Sequence, residues 1–442
     1  MTKRQLEVLI WNRECETMPR TDLRSLQLRR LRETVARAYQ RVPFYRRALD
    51  SRGVKPEDIR TLEDLRRLSF TVKSDLRDNY PFGLFAEPLA QIVRVHASSG
   101  TTGKPIVAGY TRHDLDIWTE VMARVLAAGG VTDRDVVHNA YGHGLFTGGF
   151  GFHQGAERVG ATVVPVASGL TKRQLMLIED FGATVLCCTP SYSLVIAEAA
   201  ADEGIDIGFR WQLRVGFFGA EPWSERMREE IEEKLHLHAV NIYGLTEIVG
   251  PGVAVECPFQ QGMHIAEDHF LAEVIDPETG EPLGYGQKGE LVFTTLTKEG
   301  MPMLRYRTRD LTTLDDEPCP CGRTLVRMDR VTGRTDDMLI IRGVNVYPSQ
   351  IEWALLQVAG LEPQYVIVVD RQRDSLDELE IRVETTAKLH AEGAAALAAA
   401  QAEANRLMHQ ALGLSATVMV VPPGALPRSE GKAQRVIDRR DL

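Results

Sequence analysis

Cysteine is scarce in this chain: six residues in 442, two of them adjacent at Cys187 and Cys188. That is too few and too scattered for the disulfide scaffold of a small secreted protein. Long apolar runs are missing as well. No uninterrupted stretch approaches the ~20 residues that cross a bilayer, and the first twenty residues hold a short apolar patch followed by acids rather than a secretory leader. Basic runs are also absent. With 52 Lys and Arg against 61 Asp and Glu the formal charge is −9, without the cationic footprint of a nucleic-acid binder. Neither nucleic acid nor membrane is expected as a partner, and the protein reads as cytoplasmic. Apolar residues at 44% and charged residues at 26% are ordinary for a folded chain. The length exceeds what one core usually holds, so more than one domain is expected.

Residues 22–51 carry Leu23, Leu26, Leu28, Leu31, Val35 and Ala38 among arginines, a spacing that predicts one amphipathic helix. Between about 93 and 243, short apolar runs at 136–137, 162–166, 185–188 and 215–218 alternate with helix-length segments such as 112–128 and 225–235. That alternation predicts a parallel sheet covered by helices. The pattern then changes. Runs at 271–275 and 290–295 flank the turn-rich segment 276–282, which predicts antiparallel hairpins in a β subdomain. Beyond Gly333 the order strand (338–341), helix (348–358), strands (365–369 and 378–384), helix (387–412) and strand (417–421) predicts a small α+β domain. Its long helix would pack on the sheet through Leu397, Ala400, Ala404, Met408 and Ala411. The fold class is therefore α/β, with a large domain over 1–335 and a small one over 336–442, joined by a tight hinge.

After a run expected to be a strand at 92–95, His96-Ala-Ser-Ser-Gly-Thr-Thr-Gly-Lys-Pro105 places four hydroxyls and two glycines in six residues. Backbone N–H groups and hydroxyls in such a loop can surround phosphate oxygens, and glycine permits close approach. It is not a Walker loop. Only two residues separate Gly100 from Gly103, and Pro105 follows Lys104 where a hydroxyl residue is needed. Further along come Phe218-Gly-Ala-Glu-Pro222, Tyr243-Gly-Leu-Thr-Glu247, Tyr306-Arg-Thr-Arg-Asp-Leu311, Gly333-Arg-Thr-Asp336 and Pro427-Arg-Ser-Glu-Gly-Lys432. Taken singly, each has an ordinary explanation as a loop, a helix cap, a surface ion pair or a solvated lysine.

Together and in this order they resemble the signatures of the adenylate-forming superfamily, which includes acyl-coenzyme A synthetases, peptide-synthetase adenylation domains and luciferases. The resemblance spans nearly the whole chain. It implies that Ser98, Ser99, Gly100, Thr101, Thr102, Gly103 and Lys104 cover the phosphates of ATP, and that Gly219, Ala220, Glu221 and Pro222 carry adenine. Tyr243 would form an aromatic wall, Thr246 would hold the α-phosphate and Glu247 would bind Mg²⁺. Asp310 would accept the ribose hydroxyls, with Arg334 in the same region. Asp336 takes the hinge position of a mobile small domain, and Lys432 the place of the catalytic lysine. Chemistry supplies a reason for such a lysine: a carboxylate attacking an α-phosphate brings two anions together, and a cation between them lowers the barrier. Moving the lysine away would then admit a thiol, so one hinge serves two half-reactions.

Within the superfamily, Asn79-Tyr-Pro-Phe-Gly-Leu-Phe85, the segment His138 to Gly149 and the segment Asp180 to Ser191 are similar to coenzyme A ligases of the phenylacetate type. Tyr141 and Phe146, with Gly219, would then line an aryl-acid pocket, and the partners would be the acid, ATP and coenzyme A. Phenylacetate, benzoate-like acids and amino- or hydroxybenzoates all stay open, as do a carrier protein or an amine as acceptor, an inactive nucleotide-binding module, and a homodimer. Cys257, His264, Cys319 and Cys321 form a Cys-x6-His and a Cys-x-Cys pair, four ligands that suit a structural zinc.

Overall fold

The computed structural model describes residues 6–98, 105–335, 337, 339–342, 344–370, 377–428 and 435–440. Ser99, Gly100, Thr101, Thr102, Gly103, Lys104, Asp336 and Lys432 lie outside the described residues. The chain divides into two compact units, Met1–Ala220 with Ile231–Arg330, and Glu221–Glu230 with Val331–Leu442.

In the larger unit the apolar runs become strands because Val, Ile, Leu and Phe suit a pleated surface buried on both faces. Thr162–Val164, Val136–Asn139, Val185–Cys188, Val215–Phe218 and His238–Leu245 pair in parallel in that spatial order. Beyond His238–Leu245 the same sheet continues antiparallel through Gly250–Glu256, Met263–Ile265, Arg327–Met328 and Leu314–Asp315. The expected parallel sheet is thus part of one nine-stranded mixed sheet. Phe270–Ile275, Gly289–Thr295 and Tyr306–Thr312 form a separate antiparallel set.

The helix at 112–128 is present as Arg112–Ala128. Thr111 and Asp114 form a capping box that satisfies two of its orphan amides, and Trp118, Val121, Met122, Val125 and Leu126 bury its inner face. The single helix expected over 22–51 is two, Arg20–Arg41 and Pro43–Ser51. Pro43 has no N–H to donate and disfavours helical geometry before it. Val42 is accordingly extended, and the proline opens the second helix at its first position.

The smaller unit holds a four-stranded sheet in the order Thr417–Val421, Glu378–Thr385, Leu361–Asp370 and Val436–Asp438, antiparallel at its centre and parallel at both edges. The strand at 436–438 was not foreseen. Pro348–Leu356 and Ala394–Leu412 pack here, with Ala400, Ala404 and Met408 in the core and Ala411 against it. The helix expected over 387–412 breaks into Ala387–Ala391 and Ala394–Leu412 at Gly393, whose φ of +91° no helix accommodates.

Candidate nucleotide site and a buried thiol cluster

The strand ends of the larger unit carry the motif residues. Arg94–Ala97 is the strand before the hydroxyl-rich loop, two residues later than expected, and it pairs with Val107–Tyr110. Ser98 closes the base of that loop twice: its amide donates to Ile106 O at 2.9 Å and its hydroxyl accepts the Ile106 amide at 3.2 Å. Gly219 follows Val215–Phe218 where a Cβ would come within 2.6 Å of Ile242 O, so only glycine permits the close pass. Ala220, next in the motif, has φ +70°. Glu221 and Pro222 fall in the smaller unit.

Tyr243, Thr246 and Glu247 sit at the end of His238–Leu245 and in the turn after it. Gly244 makes that turn possible, since a Cβ there would lie 2.0 Å from Gly250 O. The Tyr243 hydroxyl donates to Asp310 Oδ2 at 2.5 Å, joining two motifs 67 residues apart, while its ring lies 6.2 Å from that of Phe293. Asp310, Thr246 and Glu247 are all buried. Thr246 Oγ1 is 3.4 Å from Thr147 Oγ1. Glu247 Oε1 accepts the Tyr306 hydroxyl at 3.2 Å, and among the described ion pairs none involves Glu247. A buried carboxylate free of a salt bridge suits a hard cation such as Mg²⁺, which selects oxygen donors.

Beneath this turn lie residues to which no sequence signal pointed. Tyr110, fully buried, donates to Val249 O at 3.0 Å and to Thr246 O at 3.4 Å. Lys298 donates to Glu247 O at 3.2 Å, and its Nζ stands 4.8 Å from the centre of the Tyr110 ring. Burial pulls Lys298 down to about 8, against the opposing charges of Asp114 and Glu247. Desolvation raises the Tyr110 phenol.

Tyr141 and Phe146, expected to share a pocket, are not in ring contact with each other among the described residues. Tyr141 is buried, stacked on Phe152 at 5.2 Å with planes 5° apart, and its hydroxyl reaches Phe217 O at 3.4 Å. Phe146 is exposed beside Gly148. In the smaller unit, Arg334 is in the short strand Gly333–Arg334 with its Nε 3.7 Å from Asp337 Oδ2.

Cys257, His264, Cys319 and Cys321 do come together, all buried, with their ligand atoms within 4.8 Å of one another. Cys257 follows Gly250–Glu256, His264 lies in Met263–Ile265, and the other two thiols lie in a turn closed by the Gly322 amide on Cys319 O at 3.0 Å. Cys257 Sγ is 3.7 Å from Cys319 Sγ, and Cys321 Sγ is 3.4 Å from His264 Nε2. A tetrahedral ion with Zn–S of about 2.3 Å and Zn–N of about 2.0 Å sets roughly 3.8 and 3.5 Å for these separations. The donor set therefore fits. Sharing of hydrogen bonds lowers Cys319 and Cys321 and raises Cys257 by the same contacts, the behaviour of thiols packed together around one position.

The whole chain is also similar to known proteins. Residues 85–297 match the AMP-binding enzyme family and residues 343–440 the AMP-binding enzyme C-terminal domain. A phenylacetate-coenzyme A ligase of Thermus thermophilus is 53% identical over 98% of this chain and 100% of its own length. One from Escherichia coli K12 is 50% identical over 97% of each. The crystal structure of a 2-hydroxyisobutyryl-CoA ligase in the postadenylation state, in complex with R3-HIB-AMP, superposes with a TM-score of 0.90 at 33% identity, over 98% of this chain and 92% of that one. The chain belongs to the phenylacetate-coenzyme A ligase family of AMP-binding enzymes.

Proposed function

We propose that this protein is an ATP-dependent aryl acid:coenzyme A ligase that converts phenylacetate first to its adenylate, releasing pyrophosphate, and then to the coenzyme A thioester, releasing AMP. The observation that supports the reading within the structure is the Tyr243–Asp310 hydrogen bond beside the buried Thr246–Glu247 turn, which joins two separate motifs. Asp310 accepts ribose hydroxyls, positioned by the Tyr243 phenol, and Tyr243 lends its ring to adenine together with the Gly219–Pro222 segment. Thr246 offers its hydroxyl to the α-phosphate, and the loop from Ser98 to Lys104 offers its donors to the outer phosphates. Glu247 would hold Mg²⁺, which neutralises polyphosphate charge when bound.

Tyr141, Phe146 and Gly219 line the acid pocket in this reading. Arg334 serves the nucleotide region, Asp336 is the hinge between a domain over 1–335 and one over 336–442, and Lys432 supplies the cation for adenylation. Cys257, His264, Cys319 and Cys321 would hold a structural zinc. No helix among the described residues is long and apolar enough to cross a membrane, and the low cysteine content favours the cytoplasm as the place of action.

The test is acid-dependent pyrophosphate release from ATP and Mg²⁺ with a panel of aryl and aliphatic acids, with and without coenzyme A. Sustained release with phenylacetate plus coenzyme A, with AMP and thioester as products, is the expected result. Release indifferent to coenzyme A would move the acceptor to a carrier protein or an amine, and no release with any acid would overturn the assignment. Lys432→Ala is expected to lose adenylation yet still turn supplied acyl-adenylate and coenzyme A into thioester; equal loss of both halves removes Lys432 from its role.

A further inference from the structure

Lys298 is a buried ammonium with little to satisfy it. Three N–H donors need acceptors, yet its described contacts are one carbonyl, that of Glu247, and the face of Tyr110, and no described ion pair includes it. A buried charge without a paired counter-ion opposes folding, and an apolar side chain of the same length would fill the space without that cost. What the lysine touches is the turn carrying Thr246 and Glu247. Its partner Tyr110 caps the carbonyls of Thr246 and Val249. Three main-chain carbonyls of one short turn, at 246, 247 and 249, are therefore held by two side chains that touch each other. The lysine is itself fixed from behind, because Asp114 accepts the amides of Glu299 at 2.7 Å and Gly300 at 2.9 Å and so ties the segment after Lys298 to the start of Arg112–Ala128. Gly300 has no room for a side chain there, since a Cβ would meet Asp114 Oδ2 and Gly109 O at 2.9 Å.

We propose that Lys298 is a positioning residue for nucleotide binding: with Tyr110 it fixes the peptide planes of the Thr246–Glu247 turn and places a positive charge beneath the site that receives Mg²⁺ and polyphosphate. This rests on the reading of Thr246 and Glu247 given above. In a water-poor environment such a charge acts on the incoming anion with little screening, and the anion adds to the more distant opposing charges of Asp114 and Glu247.

The experiment is a calorimetric titration of Mg·ATP into the full chain without any acid, so that no turnover contributes, followed by KM for the acid. Lys298→Met is expected to weaken Mg·ATP binding about ten-fold or more, the loss of a hydrogen bond to a charged group, with KM for the acid moving less than about two-fold. Lys298→Arg, which keeps the charge, recovers most of the affinity, and Tyr110→Phe, which keeps the ring, loses about three-fold. Unchanged Mg·ATP affinity in Lys298→Met, or Lys298→Arg no better than Lys298→Met, overturns the proposal. Should Lys298→Met fail to fold, unchanged affinity in Tyr110→Phe overturns it. Glu247→Gln separates the two readings: if it binds Mg·ATP like the parent while Lys298→Met does not, the metal leaves Glu247 and Lys298 keeps its role towards the nucleotide.

Discussion

Two buried cations in the larger unit are treated in opposite ways. Arg124 places its guanidinium fork on Asp268 at 2.8 and 3.0 Å and its Nε on Glu120 at 2.9 Å. Asp268 is fully buried, with His269 Nε2 3.1 Å from the same Oδ2 that accepts Arg124 Nη2. Burial opposes the Arg124 charge, yet Asp268 and Glu120 together raise it; burial likewise opposes the Asp268 charge, and the permanently charged Arg124 fork holds it well below the usual carboxylate range. Among its described contacts Lys298 has a carbonyl and a ring, and burial outweighs the opposing charges of Asp114 and Glu247, pulling it down. The contrast separates architecture from function. The arginine is satisfied from within and ties Arg112–Ala128 to the segment before Phe270–Ile275. The lysine is satisfied only in part among its described contacts, next to the turn proposed to receive the nucleotide.

Replacing Arg124 with Met is the sharpest way to break this contrast. Asp268 would be left buried against a weaker set of partners, and denaturant unfolding should show a loss of about 3–5 kcal/mol, while Mg·ATP affinity of the folded fraction stays at the parent value. A comparable affinity loss in Arg124→Met and Lys298→Met would erase the distinction. The thiol cluster extends the comparison to a group whose counter-charge would come from outside the chain, as a zinc ion. Purified without chelator, the protein should carry close to one equivalent of zinc, and Cys319→Ser with Cys321→Ser should lower both metal content and the unfolding midpoint. Metal below about a tenth of an equivalent in the parent removes zinc from the description.

Acid probes the arginine network from its edge. Burial pulls His269 down to about 4, below the 6.5 of an unfolded histidine. Its contribution is therefore complete above pH 6.5 and is lost as pH falls towards 4, about 2 kcal/mol by pH 5. His269→Gln should flatten the slope of thermal midpoint against pH over that interval, and an unchanged slope would place the acid sensitivity elsewhere. Tyr243→Phe is the smallest expected effect. It removes one hydrogen bond to Asp310, and KM for ATP should rise about three-fold with stability nearly unchanged.

Much of this molecule was legible before its coordinates, for reasons that particular residues make plain. Apolar runs at 185–188 and 215–218 could only be buried strands, and the motif order named the family. Pairing was harder to read. Whether His238–Leu245 ends a parallel sheet or continues into an antiparallel one depends on partners far along the chain, so the strands joined to it after Gly250 were not foreseen, while the antiparallel pair expected from 271–275 and 290–295 formed as a separate sheet. The helix breaks at Pro43 and Gly393 were written in residue types that the periodicity overrode. Of the candidate site, Tyr243, Thr246, Glu247 and Asp310 could be read as a set, but the bond between Tyr243 and Asp310 could not, since 67 residues separate them. Lys298 and Tyr110 carry no signature at all. A lone lysine after a strand is normally solvated, and only the fold reveals that this one is enclosed.

The thiol cluster has a consequence that concerns the unfolded chain more than the folded one. Cys257 and Cys319 are 62 residues apart, and the loop between them contains Lys298, Tyr306 and Asp310. An ion held by these four side chains closes that loop in every conformation in which it stays bound. A cross-link over such a length removes chain entropy worth on the order of 4 kcal/mol from the denatured ensemble. With such an ion bound, the segment around Asp310 would be short of places to go when the protein opens, and its return would be a search over a ring rather than over a free chain.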